Sequence, residues 1–426
     1  MEENSEIRNP LGIEPISKLL RKFAIPSIVA MLVSSFYNIV DQFFIGRTVG
    51  TLGNAATNVA FPVSTICVAL GLLFGIGGAA AFNIEMGKGN KEKAPFYIGN
   101  VVTGIMILGT IIAIGILLFL TPLLKFFGAP DNVLGYAKDY VGVTAIGIPF
   151  LIMGLGGGHI IRADGSPDFS MICNLVGAVI NIILDYLFVM VFDWQMKGAA
   201  LATIIGQFVS FALVINYLRN YKTVRLKKEH FIPSLKYIGR IASLGVTPFS
   251  NQIAIMIVQI TLNKSLTYYG ALSNYGDSCA GIIMKVNQIY FAVIIGLSQG
   301  IQPIASFNIG AKNYSRVKET YKLAVISGTI VSVIAFIMFQ VFPRNIISIF
   351  GNGTKEYYQF ATNYFRIFLF MTFANAIQPI TSTFCTAIGK AMKGTFLALT
   401  RQIIFLLPLI VVLPMIFGIN GIMRHL

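Results

Sequence analysis

Apolar runs of about 20 residues recur from one end of this chain to the other, and a helix of that length spans the hydrocarbon core of a bilayer. Only 12% of the 426 residues are charged and 55% are hydrophobic, whereas a soluble protein carries about twice that share of charge. No stretch is both long enough and polar enough to form a separate soluble domain. The pattern therefore predicts an all-α integral membrane protein embedded in the lipid bilayer.

The hydrophobic runs predict eleven membrane-spanning helices. The predicted spans are 21–46, 55–84, 95–121, 133–158, 167–192, 196–219, 238–268, 276–309, 317–342, 356–386 and 392–417. Several of them are longer than the bilayer core is thick, so we expect them to tilt or to protrude into the headgroup region.

The basic residues indicate how the chain is oriented. Lys and Arg are concentrated before the first span and in every second loop, above all in segment 219–240, and they are scarce in the other loops. This bias predicts that the N-terminus and the basic loops are cytoplasmic, with segment 219–240 close to anionic lipid. The net charge of +15 is thus explained by membrane topology, and it does not indicate a nucleic-acid partner.

The chain also resembles itself at a spacing of roughly 223 residues. The matching segments are 82–84 with 307–309, 127–128 with 350–351, Tyr140 with Tyr364, and 163–165 with 387–389. Because six helices separate equivalent points, the two repeats have the same orientation, and their pseudo-two-fold axis lies along the membrane normal. A cavity between such repeats is the natural substrate site.

The repeat divides the chain into two lobes. Residues 1–218 are the first lobe with helices 1–6, residues 219–237 are a basic cytoplasmic linker, and residues 238–426 are the second lobe with helices 7–11. Segment 197–199, which opens the sixth span, has its counterpart at 420–422, and the sequence stops soon afterwards. We therefore expect two pseudo-symmetric six-helix bundles, the second without its twelfth helix, through truncation of the sequence or through a natural loss.

Two carboxylates inside the spans are candidates for function, because an ionisable group is costly in hydrocarbon. Asp41 lies near the outer end of the first span, and Asp185 lies deep in the fifth. Asn181 precedes Asp185 by four residues, so it shares the same helix face. Thr203 lies at a similar depth in the sixth span, and we expect the four side chains to converge.

Two carboxylates, an amide oxygen and a hydroxyl suit a hard cation such as Na⁺, which prefers oxygen ligands. They suit protons equally well, because two neighbouring carboxyl groups titrate as a coupled unit. The alternatives are a helix-packing hydrogen bond for Asp185 and an interfacial position for Asp41. Asn181 and Thr203, taken alone, are more often packing groups than ligands.

Further polar residues are candidates for lining a substrate cleft between the repeats. They are Tyr37, Asn38 and Gln207 in the first repeat, and Gln252, Lys285 and Gln288 in the second. Lys285 could pair with a carboxylate or bar cations from its lobe, and a buried structural ion pair is an equal alternative.

The sequence contains no motif for other kinds of chemistry. A GxxxxGK[ST] phosphate loop, an HExxH zinc motif and a GxSxG nucleophile motif are all missing. The sequence therefore argues against an ATP-driven pump and against an enzyme, and it predicts no cofactor other than a coupling ion.

These features make the sequence resemble the multidrug and toxic compound extrusion (MATE) family, most closely its bacterial members, over nearly the whole chain. The motifs that carry the resemblance are the first helix from Pro26 to Asp41, the Gly-x-x-Asn turns after spans two and eight, the sequence RADG at 162–165, and NIILD at 181–185 followed by GAA at 198–200.

The resemblance implies a V-shaped cleft between two six-helix bundles and export of cationic, amphipathic drugs or dyes against inward flow of H⁺ or Na⁺. The family's first-lobe cation site maps by motif onto Asp41, Asn181, Asp185 and Thr203. The resemblance also implies a monomer in the bacterial inner (cytoplasmic) membrane. Two alternatives remain: a lipid-linked saccharide flippase of the same superfamily, and a truncated, non-transporting membrane protein.

Overall fold

The computed structural model describes residues 9–270, 276–349 and 355–417, and nearly all of these residues are helical. The α-helices are α1 (Ile16–Thr48), α2 (Thr51–Gly87), α3 (Ala94–Leu118), α4 (Leu120–Phe126), α5 (Asp131–Ile146), α6 (Ile148–Ala163), α7 (Pro167–Asp185), α8 (Gln195–Arg219), α9 (Leu235–Gly270), α10 (Gly276–Gly310), α11 (Tyr314–Val341), α12 (Pro343–Ser348), α13 (Lys355–Phe368), α14 (Ile377–Ala387), α15 (Ala391–Leu399) and α16 (Leu407–Phe417). Short 3₁₀ helices cover Pro10–Gly12, Lys228–Phe231 and Phe370–Ala374, and π-helical segments cover Tyr186–Val191 and Thr400–Leu406.

Ten helices among the described residues are long and apolar enough to cross a membrane, and a bent pair of helices brings the number to eleven. The bent pair is α5 and α6, which meet at an angle of 57°. Pro149 is in the first turn of α6, where a missing N–H breaks no intrahelical hydrogen bond. The predicted number of spans agrees with this structure, but the span predicted as 133–158 is two helices and not one.

Some predicted boundaries were also wrong. The first helix begins at Ile16, five residues before the predicted start. The span predicted as 95–121 ends at Leu118, and the short helix α4 follows it. The span predicted as 356–386 is interrupted by the 3₁₀ segment Phe370–Ala374. Apolar composition continues through these breaks, so hydropathy alone could not locate them.

The backbone repeats itself in the second half of the chain. Helices α6 and α7 are joined through Gly165 at φ 81°, and α14 and α15 are joined through Gly389 at φ 79°, 224 positions later. Only glycine adopts this left-handed conformation without strain. The hydroxyl of Ser170 donates to the carbonyl of Gly158, and the hydroxyl of Ser382 donates to the carbonyl of Gly394, with the donor and acceptor positions exchanged. The register of the repeat in this region is therefore 224 residues.

The two repeats pack along a seam of four helices, in which α1 contacts α10, and α2 contacts both α9 and α10. Glycines allow the backbones to approach closely. A Cβ on Gly77 would overlap the carbonyl oxygen of Ile241, and one on Gly245 would overlap that of Leu73. A Cβ on Gly300 would lie 2.6 Å from the Cα of Ala24. We call this region the glycine seam.

The glycine seam lies towards one face of the protein, which we call the basic side. There α1 and α9 begin and α2 and α10 end, and the basic loops of the sequence lie on it. The backbone of Ile28 in α1 lies against Gly296. Asp41 follows Ile28 by 13 residues, which corresponds to about 20 Å along the helix axis. Asp41 is therefore well beyond these close contacts, towards the opposite side.

The linker between the repeats is fastened at both ends to the first repeat. Near its start, Asp164 accepts hydrogen bonds from the Tyr217 hydroxyl at 2.7 Å, the Lys222 amide at 2.7 Å, and the Thr223 amide and hydroxyl at 2.8 and 2.6 Å. Burial raises the pKa of the Asp164 carboxyl, and these hydrogen bonds partly offset that effect. Asp164 thus anchors the beginning of the linker.

The end of the linker is held by α3. The Asn100 side chain accepts from the Ser234 amide at 2.8 Å and donates to the carbonyl of Ile232 at 3.3 Å, while the Thr103 hydroxyl donates to the carbonyl of Phe231 at 2.7 Å. The ring of Phe96 stacks on that of Tyr237 at 5.2 Å. The basic segment that joins the repeats is therefore an ordered strap against the first repeat.

Candidate functional site

Asp41 and Asp185 meet inside the first repeat. Asp41 is 9% exposed and Asp185 is fully buried, and their carboxyl groups lie within hydrogen-bonding reach of each other. Asp185 is the last residue of α7, and the π-helical segment Tyr186–Val191 follows it directly. Such segments within helices are frequent at functional sites, because they change the direction in which side chains point.

Asn181 and Thr203 lie beside the carboxyl pair. Asn181 is one turn before Asp185 in α7 and is 3% exposed. Its amide nitrogen is 3.5 Å from the hydroxyl oxygen of Thr203 in α8, which is long for a hydrogen bond. The contact nevertheless shows that α7 and α8 bring these two side chains together at one depth.

Most of the oxygens at this point have no donor among the described residues. Both carboxylate oxygens of Asp185, Oδ1 of Asp41 and Oδ1 of Asn181 are buried without a hydrogen-bond partner among the residues that the structure describes. Buried polar atoms are rarely left unpaired, since each costs roughly 1–3 kcal/mol. Two ionised carboxylates would also repel each other. The arrangement therefore suits a proton or a cation shared between these oxygens.

A cavity of about 70 Å³ adjoins these residues, with its lining contributed by α1, α6, α7 and α8. Tyr37, Asn181, Thr203 and Gln207 all line it. Since a water molecule occupies about 30 Å³ in the liquid, the cavity has room for a small cation with a little water. The sequence analysis had selected all four of these residues.

The remaining predicted residues lie elsewhere. Asn38 is exposed, and its amide donates to the carbonyl of Ser34 at 2.7 Å within α1. Gln252 is in α9 and is half-buried, while Lys285 and Gln288 are in α10, half-buried and exposed respectively. None of these three second-repeat residues lines the cavity described above. Their assignment to a substrate cleft stays a prediction.

Sequence reasoning missed Tyr140 as a site residue. This tyrosine of α5 lies close enough to Asp41, Asp185 and Thr203 to interact with each of them. A tyrosine near the end of a membrane span is common and indicates an interfacial position. The only signal in the sequence was its match with Tyr364 in the repeat, and that match does not indicate a contact with the carboxylates.

Two like-oriented helical repeats with an ionisable pocket inside one of them define a membrane transporter. A family model described as MatE matches residues 26–187 and 249–412. The chain belongs to the MatE family, and the resemblance stated from the sequence is confirmed. It is a transporter and not an enzyme, and its fold is the all-α membrane fold predicted from the sequence.

Curated relatives match almost end to end. The multidrug export protein MepA of Staphylococcus haemolyticus is 26% identical over 412 residues, which cover 96% of this chain and 90% of the relative. MepA of Staphylococcus aureus is 26% identical over 414 residues, with 97% and 90% covered. These relatives are bacterial, as the sequence resemblance had implied.

Solved structures agree with the fold. The MATE multidrug transporter DinF-BH, determined in complex with rhodamine 6G, is 33% identical, with a TM-score of 0.90 over 97% of this chain and 92% of that chain. An outward-facing multidrug resistance MATE transporter matches with a TM-score of 0.89, over 97% of this chain and 92% of that chain. The second structure is only 20% identical, so it bears on the fold alone.

Proposed function

We propose that this chain is a secondary active multidrug exporter, which exchanges cationic amphipathic compounds for H⁺ or Na⁺. The relatives that it matches are described as multidrug export proteins, and a related structure holds a cationic dye. The dyes and drugs exported are small molecules with an aromatic body and a positive charge. The protein works as a monomer in the bacterial cytoplasmic membrane, with its basic side inside the cell.

The coupling ion binds at Asp41 and Asp185, with Asn181 and Thr203 supplying further oxygens. The observation that carries this assignment is the set of buried acceptor oxygens at that point, which have no donors in the part of the chain that the structure describes. A proton between the carboxyl groups, or Na⁺ among the oxygens, removes the repulsion and satisfies the acceptors. Ion binding therefore releases free energy that the transport cycle can use.

Export proceeds by alternating access between the two repeats. The glycine seam is closely packed on the basic side, and the carboxyl pair lies beyond it. This packing favours a transport state that is open towards the opposite side. The coupling ion must bind this state and the inward-open state with different affinities. The drug must also bind the two states with different affinities. The two affinities together couple drug export to ion entry.

Replacement of Asp185 by Asn tests the assignment. Asp185→Asn removes one of the two charges that an ion would neutralise, so we expect ion-driven export to be abolished in a protein that still folds. The measurement is ethidium efflux from reconstituted vesicles under an imposed Na⁺ gradient and, separately, an imposed pH gradient. The elution profile in detergent reports whether the variant is folded.

Asp168→Asn is the matched control. Asp168 is an exposed carboxylate in the first turn of the same helix, and we expect its variant to export normally. Efflux by Asp185→Asn at the parent rate, under either gradient, would refute the assignment of the coupling site. Absence of dye efflux from the parent protein under both gradients would refute the proposed export function itself.

A further inference from the structure

The second repeat has charged and polar side chains where the first repeat has its cavity. Gly154 and Gly177 both line the cavity of the first repeat. The 224-residue register of this region places Gln378 and Arg401 at the equivalent positions. Two glycines that leave space in one repeat therefore correspond to an amide and a guanidinium in the other.

Arg401 is held in place by two helices. Its Nη1 donates to Oε1 of Gln378 at 3.2 Å, and its guanidinium lies over the ring of Phe291 at 5.0 Å from the centroid. The Gln378 amide donates in turn to the hydroxyl of Ser382 at 3.2 Å. Arg401 itself belongs to the π-helical segment Thr400–Leu406, as Asp185 directly precedes one in the first repeat. The side chain is thus oriented by contacts from α10 and α14.

The guanidinium has no negative partner among the side chains that the structure describes. In the helices of the second repeat, the only carboxylate so described belongs to Glu319, which is exposed in the second turn of α11. Arg401 forms no ion pair with a described residue. A charge in the membrane interior is costly unless it is paired, so an anion from outside the protein would find an oriented, unneutralised guanidinium.

We propose that Arg401, positioned by Gln378 and stacked on Phe291, binds a carboxylate on an aromatic amphipathic substrate. The planar guanidinium matches a carboxylate through two parallel hydrogen bonds, and Phe291, which is only partly buried, offers a surface to the aromatic body. This inference rests on the proposed export function and deepens it, because it assigns the residue that holds an acidic group of a zwitterionic substrate. The carboxylate would face the second repeat, and the cationic group would face the acidic first repeat.

Two forms of one dye test the proposal. Rhodamine 6G is an ethyl ester with a positive charge, and its free acid is the zwitterion of the same ring system. We expect Arg401→Gln to weaken binding of the free acid by about tenfold or more, and binding of the ester by less than about twofold, in fluorescence polarisation with purified protein. Arg401→Lys keeps the charge but lacks the planar fork, so we expect an intermediate loss for the free acid.

The matched control is Arg366→Gln. Arg366 is an exposed arginine of the same repeat, and its Nε donates to the carbonyl of Gln340 at the end of α11. We expect this variant to bind both dye forms as the parent does. Unchanged binding of the ester to Arg401→Gln shows that the variant is folded.

The outcomes separate this proposal from the export function. Equal weakening of both dye forms by Arg401→Gln, or unchanged binding of the free acid, would overturn the carboxylate site. Efflux of the ester by the parent under an ion gradient is measured independently in vesicles. If that efflux fails while binding of the free acid still depends on Arg401, the export function is wrong and the carboxylate site stands.

Discussion

At the scale of single residues, the first repeat keeps a pair of acids inside its membrane-spanning helices, where a buried charge is costly. Asp41 and Asp185 are buried and adjacent, and Oδ1 of Asp41 and both carboxylate oxygens of Asp185 have no hydrogen-bond partner among the described residues. A sequence selected for stability alone would place an amide or an apolar residue at one of these positions, since functional sites often reduce stability. The pair therefore makes a prediction about stability that does not depend on transport.

We expect Asp41→Asn to raise the stability of the protein at alkaline pH in the absence of Na⁺. The new amide removes one charge and can donate to an oxygen of Asp185, so the gain should be about 1–2 kcal/mol, the order of one unsatisfied buried group. The gain should shrink as the pH falls, because a shared proton relieves the same repulsion in the parent. The measurement is the apparent melting temperature in detergent at a series of pH values.

Asp168→Asn serves as the control for this comparison. Its carboxylate is exposed at the N-terminus of α7, where negative charge is favourable, so its removal should not raise the melting temperature. If Asp41→Asn melts below the parent at alkaline pH, the carboxyl pair is a stabilising contact and not a strained ion site.

The sequence predicted the carboxylate site of the first repeat but not the surroundings of Arg401. Asp41, Asp185, Asn181 and Thr203 followed from the cost of polar groups in the membrane and from helix spacing, because both are properties of one or two adjacent helices. The environment of Arg401 depends on three separated helices and a change of helical pitch, which no local pattern encodes.

The buried position of Arg162 could not be predicted from the sequence either. Its place between two spans indicated a loop charge on the basic side, yet it is only 4% exposed. Its guanidinium bonds to Nδ1 of His159 and to the hydroxyl of Ser170, both at 2.9 Å. A charge count along the sequence cannot distinguish a residue in the headgroup region from one that folds back into the bundle.

At the scale of elements, the strap between the repeats is an ordered connection whose start is held chiefly by Asp164. We expect Asp164→Ala to destabilise the protein, because it leaves four donors of Tyr217, Lys222 and Thr223 without their acceptor. The loss should be about 2–4 kcal/mol in total. The measurements are the apparent melting temperature and the rate of tryptic cleavage after Arg225, which should rise.

Glu229→Ala is the control for the strap. Glu229 is also an acid of this segment, but its side chain is 58% exposed and the ammonium group of Lys227 is 3.7 Å away. We expect it to change neither the melting temperature nor the cleavage rate appreciably. Equal effects of the two substitutions would show that net charge, and not the buried hydrogen bonds, holds the strap.

The helices themselves were largely predictable and their interruptions were not. Hydrophobic length identified the spans because lipid requires every backbone group to be paired within the helix. The bend between α5 and α6 coincides with Gly147 and Pro149, but Pro26 and Pro62 lie inside α1 and α2, which remain continuous. A proline in the sequence therefore does not by itself indicate a bend.

At the scale of the whole molecule, the two repeats share a backbone plan but differ in charge. The first repeat has a buried pair of acids, while the helices of the second repeat carry Lys285 and Arg401. The seam between them is closed on the basic side by backbone contacts at glycines. The proposed alternating access requires this seam to open, so a side chain that obstructs it should shift the balance between conformations.

We expect Gly245→Ala to open the seam on the basic side. The added methyl group would overlap the carbonyl of Leu73 in α2. Steric strain of this kind costs about 1–3 kcal/mol. That cost corresponds to a shift of about 5- to 150-fold in a conformational equilibrium. Ile241 lies fully buried one turn away in α9. A probe introduced as Ile241→Cys should react with a membrane-impermeant maleimide several times faster in the Gly245→Ala background.

The same helix offers the control, because a Cβ on Gly239 would meet nothing within 4 Å. Gly239→Ala should leave the reactivity at position 241 unchanged, since it adds helix propensity to α9 without touching α2. Faster reaction in both backgrounds would indicate a general effect of alanine on α9. Unchanged reaction in Gly245→Ala, with ion-driven efflux at the parent rate, would mean that the glycine contacts do not form the barrier on the basic side.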